Sequence, residues 1–417
     1  MVGFVKYLFL GIFFFSPFTE FRLAGLKLSE ILTLLTIFII TTKHKSFLRF
    51  SPNNKKFAIL FILVILISAL LSFFDSINTY AYGVDKGVYY SFEYGWFFKI
   101  LRLWVVLCFT AILERQLIIK TSFVDTVCNS YILANILVDL YGITYFFTTI
   151  HSFAEFGNIR TNLFAAEPSE AGFINCFAII LALRHWWQWD KTKVLILCIL
   201  IMGQLVIGST TSIVSVILSI AMTYIYYNKN NNGISSKMLI MYISIIVMST
   251  VLFYWLATYT QILDKILNVQ DDFNSENAGG SAIERITTIE TCWEIFKVRP
   301  FLGVGFGNFG WYLKHYVTSP LLLYVPGGAF QPNNTYMQIL AELGVVGFAI
   351  YAWFILRQFI KLNKLLKHNT KNKSIYFLYS LLIYILIHSL TLPTIYSFQF
   401  WIVVAIIQSM SFKYIKK

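Results

Sequence analysis

Four short segments of the chain carry residues that chemistry uses. The first holds Gly157-Asn-Ile-Arg160 followed by Glu167-Pro-Ser-Glu170-Ala-Gly172. An arginine stays charged and offers paired N–H donors, and a carboxylate near it can accept a proton. Pro168 suits the first turn of a helix, so Glu167 and Glu170 also have a plainer role as complements to a helix dipole. The residues alone leave both roles open. The second segment, Gly208-Ser-Thr-Thr-Ser212, is a polar break between two apolar runs. The third is Arg285-Ile-Thr-Thr-Ile-Glu-Thr-Cys-Trp-Glu-Ile-Phe-Lys297, running on to Arg299-Pro-Phe-Leu-Gly-Val-Gly-Phe-Gly-Asn-Phe-Gly310. Ile286, Ile289, Trp293 and Phe296 recur at the spacing of an amphipathic helix that can lie on a bilayer. The glycines after it permit a tight turn and close approach of a ligand. No strand precedes them, so they do not make a dinucleotide fingerprint. The fourth is Gln331-Pro-Asn-Asn-Thr-Tyr-Met-Gln338, leading into Ala341-Glu-Leu-Gly-Val-Val-Gly347. Asn333 or Asn334 can cap the helix that begins there. Asn334, Gln338 and Glu342 are spaced by four and share one face, and a polar face on an apolar helix looks into protein or a wet cavity.

The elements that must position these residues are membrane spans. Of 417 residues, 58% are apolar and 13% charged, whereas soluble domains carry about 25% charge. A cytosolic enzyme and a disordered chain are both excluded on that ground. Apolar runs lie near 4–18, 24–41, 57–74, 95–113, 122–149, 171–188, 194–208, 211–227, 238–258, 334–356, 375–391 and 396–412. The expectation is an all-α polytopic membrane protein with about 12 transmembrane helices, one integral domain over 1–417. The first run lacks a small-residue cleavage site and reads as a retained span.

Net charge is +13. The basic residues sit in short tracts between apolar runs, which is membrane topology and not nucleic-acid binding. With the N-terminus inside, roughly two thirds of the 33 basic residues fall on the inner side, and the alternation holds phase along the whole chain. Both termini are then cytoplasmic, and 150–170, 208–212 and the long loop 259–333 lie outside. Lys99 and Arg102 fall near the outer end of the fourth run. Snorkelling to the interface is the favoured reading for Lys99, while Arg102 is equally suited to that and to meeting an anion. Four cysteines lie in apolar segments and Cys292 is alone in the loop, so neither a disulfide framework nor a zinc site is implied.

Together these motifs resemble the bacterial O-antigen polymerase/O-antigen ligase superfamily, in its polymerase branch. The resemblance rests on Arg160 with the EPSEAG stretch, on GSTTS, on RITTIETCWEIFKVRPFLGVGFGNF and on NNTYMQILAELGVVGF. It implies a glycosyltransferase of the GT-C type in the bacterial inner membrane. Its substrates would be glycans on undecaprenyl diphosphate at the periplasmic face, with membrane lipid around it and a chain-length regulator as a candidate partner. The donor is already activated, so no cofactor, metal or nucleotide sugar is required. The resemblance assigns Arg160 and Arg285 to diphosphate binding, where paired donors suit the growing charge; Arg102, Asn333 and Asn334 are further candidate substrate contacts. A general base would take the acceptor's proton; Glu167 is the first candidate and Glu170 the second. The ligase pattern has a histidine where this chain has Asn333, which disfavours the ligase. A flippase or transporter of lipid-linked oligosaccharide is the other alternative. It would place charges at mid-bilayer in several spans; this chain has few, with Asp125 and Asp139 of the fifth run the main exceptions.

The topology is directly testable. Reporter fusions should place residues 42–56 and 357–374 in the cytoplasm and 259–333 outside. A cytoplasmic signal from the long loop would overturn the sidedness of every motif above.

Overall fold

The computed structural model describes residues 2–19, 22–23, 26–43, 52–73, 92–120, 122–149, 163–165, 167–185, 190–231, 281–316, 332–368 and 375–415. The run expected at 238–258 lies outside them; the other eleven fold as helices. They are α1 (Val2–Phe15), α2 (Leu28–Lys43), α3 (Pro52–Phe73), α4 (Phe92–Ile119), α5 (Phe123–Thr149), α6 (Pro168–Ala182), α7 (Lys191–Ile207) and α8 (Thr210–Asn231). After two loop helices, α9 (Ser281–Val298) and α10 (Phe309–Tyr316), come α11 (Thr335–His368), α12 (Ile375–His388) and α13 (Phe398–Ile415). A minimal antiparallel hairpin, β1 (Arg22–Leu23) with β2 (Leu26–Lys27), separates α1 from α2. The second span therefore starts later than its apolar run.

Local chemistry sets the helix ends. Asp190 caps α7 by accepting from the Lys193 N–H at 2.8 Å, and that hydrogen bond holds its carboxyl below the usual range. Gly208 closes α7 in the left-handed conformation at φ 65°, so α8 can begin almost at once. Pro168 opens α6 behind an extended Glu167. Asn334 caps α11, its Oδ1 accepting from the N–H groups of Tyr336 at 2.9 Å and Met337 at 3.0 Å.

Large apolar side chains line the outside in rows at helical spacing. Examples are Leu133, Leu137, Leu140 and Tyr141 on α5, and Val214, Leu218, Met222 and Ile225 on α8. Such rows have no partner in water and are satisfied by lipid. Within, α4 packs on α13, α12 on α8, α5 on α7, and α11 on α13 and α3. Trp401 is fully buried, and its indole N–H donates to the Ile395 carbonyl at 2.8 Å. Among the described residues, Phe123–Thr149, Thr210–Tyr227 and Thr335–His368 are long and apolar enough to cross a membrane, and shorter apolar helices accompany them.

The decisive local feature is a break in α11 at Gly344, where φ is 64° and ψ is −166°. The break frees backbone groups at protein depth, and an unsatisfied group there costs several kcal/mol. The glycine-rich loop after α9 supplies the partners. Val304 N–H donates to the Ala341 carbonyl at 3.0 Å and Gly305 N–H to that of Glu342 at 2.9 Å. In return Val345 N–H reaches the Pro300 carbonyl at 2.8 Å and Val346 N–H that of Phe301 at 3.2 Å. Ser68 of α3 adds its hydroxyl to the carbonyls of Leu302 and Glu342. The close approach that the glycines permit is thus to the chain's own helix. A Cβ on Gly303, itself at φ 66°, would land on the Glu342 backbone, and one on Gly344 would land on that of Phe301.

Gly303→Ala and Gly344→Ala should each destabilise by about 3 kcal/mol or more, since a left-handed backbone and a backbone clash are imposed together. Thermal unfolding in detergent should show a lower midpoint for both. Gly11→Ala should be nearly silent, because the nearest atom to a Cβ there is 3.6 Å away.

Candidate functional site

The helix ends that loop charge assigns to the outer side meet at one end of the bundle. The start of α11 is sewn to the turn after α12: Thr335 N–H donates to the Ser389 carbonyl at 2.8 Å, and Asn334 Nδ2 to that of Leu390 at 3.1 Å. On the same end, ion pairs tie four elements in sequence. Glu342 of α11 lies 3.5 Å from Lys99 of α4. One turn along α4, Arg102 lies 3.3 Å from Glu30 of α2, whose carboxylate also accepts the Lys27 N–H at 2.8 Å. The Lys27 ammonium in turn donates to Glu170 of α6 at 2.7 Å, and Thr19 holds the other Glu170 oxygen at 3.0 Å. Burying a charge is tolerated only when it is paired and hydrogen-bonded. Glu342 is fully buried and meets this with Lys99, Gln338 Nε2 at 3.2 Å and the Phe309 N–H at 3.3 Å. Tyr396 lies close to Glu342, Arg102 and Gln338.

The sequence-predicted residues fall into distinct places. Arg160 lies outside the described residues. Glu167 is exposed at the start of α6 and accepts from the Ser169 hydroxyl at 3.1 Å. Glu170 is occupied by Lys27 and Thr19. Asn334 is buried and committed to capping, while Asn333 beside it is half-buried. Asn334, Gln338 and Glu342 do share a face, and it looks into the protein. Lys99 does not snorkel, because the buried Glu342 carboxylate draws it inward. Asp125 pairs with Arg184 at 3.2 Å at the opposite end of the bundle. Asp139 is buried against Gly203 of α7. Burial and the nearby Glu342 push the Cys292 thiol up, which suits its place in a small apolar core and not a reactive one.

Arg285 stands at the start of α9, half-buried, and lies close enough to His388 to act on it electrostatically. His388 ends α12 and was not singled out from the sequence. It is fully buried, its Nε2 2.9 Å from the Ser212 hydroxyl and its Nδ1 3.3 Å from that of Thr391. Ser212 is also 2.9 Å from the Ser209 hydroxyl. Gly172 of α6 packs directly on this serine pair, a Cβ there falling 2.7 Å from Ser212 Oγ. The available signal was a histidine inside the otherwise apolar run Ile383-Tyr-Ile-Leu-Ile-His388, although a lone histidine there is more often structural than chemical.

Residues 194–352 match the family model described as O-antigen ligase. The stretch runs from α7 into α11 and takes in Ser209, Ser212, Arg285, the glycine loop, Asn333, Asn334 and Glu342. The match supports the O-antigen ligase/polymerase superfamily that the motifs resemble. Members of that family are membrane enzymes acting on lipid-linked glycans. The match covers less than half of the chain; with the apolar helices it is a likeness to bacterial membrane proteins of O-antigen biosynthesis. Comparison with curated proteins finds no match.

The buried pair between α4 and α11 can be tested by a double-mutant cycle. Lys99→Met should leave the Glu342 carboxylate stranded and cost about 3–5 kcal/mol. Adding Glu342→Gln should restore most of that loss, because the uncompensated charge is gone. Equal and additive losses in thermal unfolding would show that the two side chains do not act as a pair.

Proposed function

We propose that the protein is a polymerase of O-antigen or a related surface polysaccharide. It would join undecaprenyl-diphosphate-linked repeat units at the periplasmic face of the inner membrane, with both termini cytoplasmic. The growing chain leaves its lipid diphosphate as the acceptor hydroxyl of a new unit attacks the anomeric carbon. The bond from that carbon to phosphate oxygen breaks, and negative charge develops on the departing oxygen. A guanidinium meets this requirement because it stays charged and binds phosphate through two donors. The observation that carries the reading is the position of Arg285. It lies on the long loop, half-buried at the start of a helix packed on α11 and within electrostatic range of His388. Arg160, on the other outer loop at 150–170, is proposed as its partner on the diphosphate. Arg102 and Asn333 are proposed at the margin of the substrate, and Asn334 as the residue that presents Asn333 by holding the cap. Of the two carboxylates proposed for the base, Glu167 is the better placed, since Glu170 already neutralises Lys27.

A second reading, ligation of finished glycan to lipid A core, is favoured by the description of the matching family. Asn333 stands against it, because an amide cannot take a proton where the ligase pattern has a histidine. The glycan of a deletion strain separates the readings. Core carrying one repeat unit without polymer indicates the polymerase, loss of all attachment indicates the ligase, and inner-leaflet lipid-linked units indicate a transporter.

Arg285→Ala and Arg160→Ala should each abolish polymer while leaving the protein in the membrane, and Arg→Lys should recover only part of it, since an ammonium lacks the two-donor fork. Chain-length ladders on gels at matched expression are the measurement. Normal ladders from both alanine variants would remove the arginines from the scheme.

A further inference from the structure

Three motifs that are far apart in sequence converge on a residue that none of them contains. Gly172 comes from the EPSEAG stretch, Ser209 and Ser212 from GSTTS, and Arg285 from the start of the long-loop helix. Gly172 packs on Ser209 and Ser212, Ser212 hydrogen-bonds His388, and Arg285 lies within electrostatic range of it. The imidazole sits between the rings of Phe173 at 4.9 Å and Tyr384 at 5.7 Å, so its orientation is set by packing.

The hydrogen-bond network favours one assignment of the ring hydrogen. The Thr391 hydroxyl donates to the His388 carbonyl at 3.1 Å. Its lone pairs are then what Nδ1 meets at 3.3 Å, so Nδ1 is the N–H donor. Nε2 is left as a bare acceptor facing the Ser212 hydroxyl. Ser212 therefore donates to the imidazole and can accept from Ser209, whose oxygen lies 2.9 Å away. Ser209 in turn is 3.5 Å from the partly exposed Thr211 hydroxyl. Every step of this line of hydroxyls points its acceptor end outward and its proton toward His388.

We propose that Ser209, Ser212 and His388 form a proton relay that takes the hydrogen of the acceptor hydroxyl as it attacks. The proposal rests on glycosyl transfer at this site and gives the base role to His388 ahead of Glu167. The acceptor's proton passes to the Ser209 oxygen while the Ser209 proton moves to Ser212 and the Ser212 proton to Nε2. The new bond forms between acceptor oxygen and anomeric carbon, and the diphosphate leaves with the electron pair of the broken bond. Its developing charge, beside Arg285, also stabilises the imidazolium formed. His388 acts through the serines and is a positioning and proton-holding residue.

The experiment is extension of lipid-linked repeat units, extracted from cells lacking this protein, by purified full-length enzyme in detergent. His388→Gln should lower kcat by about 100-fold or more, the range of general-base loss, with KM changed by less than about threefold. Ser212→Ala should lower kcat in the same way, and the solvent deuterium isotope effect on kcat should fall toward one in it, since the relayed proton is no longer in flight. Near-normal turnover in His388→Gln at matched, monodisperse protein overturns the relay and returns the role to Glu167. A raised KM with unchanged kcat overturns it as well, because that pattern is lost binding. Should the wild-type protein instead move glycan to lipid A core, the polymerase reading fails. The same variants then test the relay in that transfer, so the two can fall separately.

Discussion

A backbone that breaks inside a membrane protein must find partners for its freed groups within the protein, because lipid offers none. This constraint organises the end of the bundle where the motifs gather. At Gly344 the carbonyls of Ala341 and Glu342 and the N–H groups of Val345 and Val346 lose their helical partners, and the segment Pro300–Gly305 replaces all four. The loop cannot move away without exposing them. It therefore holds α9 in place, and with it Arg285. The two glycines at 303 and 344 are the geometric condition for this contact, since each backbone occupies the space where the other's Cβ would stand.

Charge pairing extends the same organisation sideways. Lys99 and Arg102 on one face of α4 each take a carboxylate from a different helix, Glu342 and Glu30. Lys27 continues the line to Glu170. Alternation of sign is what makes the line tolerable in a low-dielectric setting, where a lone ion would be expensive. It also means that several basic residues at this end are already engaged with carboxylates.

The chemistry proposed needs few parts: a permanent cation for the leaving diphosphate, a proton acceptor close to it, and a site at the membrane edge that long lipid carriers can reach. Arg285 and the hydroxyl line ending at His388 provide the first two within one cluster. The apolar rows on α5 and α8 provide the lipid-facing exterior that the third requires.

Much of this was legible in the residues. Apolar runs determined eleven of the described helices, because a run of about 20 apolar residues has few alternatives to a span. The four-residue spacing of Asn334, Gln338 and Glu342 determined a common face, since helical periodicity is local geometry. A cap at Asn333 or Asn334 was legible for the same reason, and the structure gives it to Asn334. The partners of those residues were not. That Glu342 faces Lys99, that Glu170 is taken by Lys27, and that the glycine loop approaches its own helix instead of a ligand all depend on contacts between segments distant in sequence, which periodicity does not encode. His388 is the clearest case. Alone it is an ordinary histidine at a helix end, and only the packing of α6 and α8 on α12 sets it against Ser212, with Ser209 and Gly172 behind that serine and Arg285 within electrostatic range.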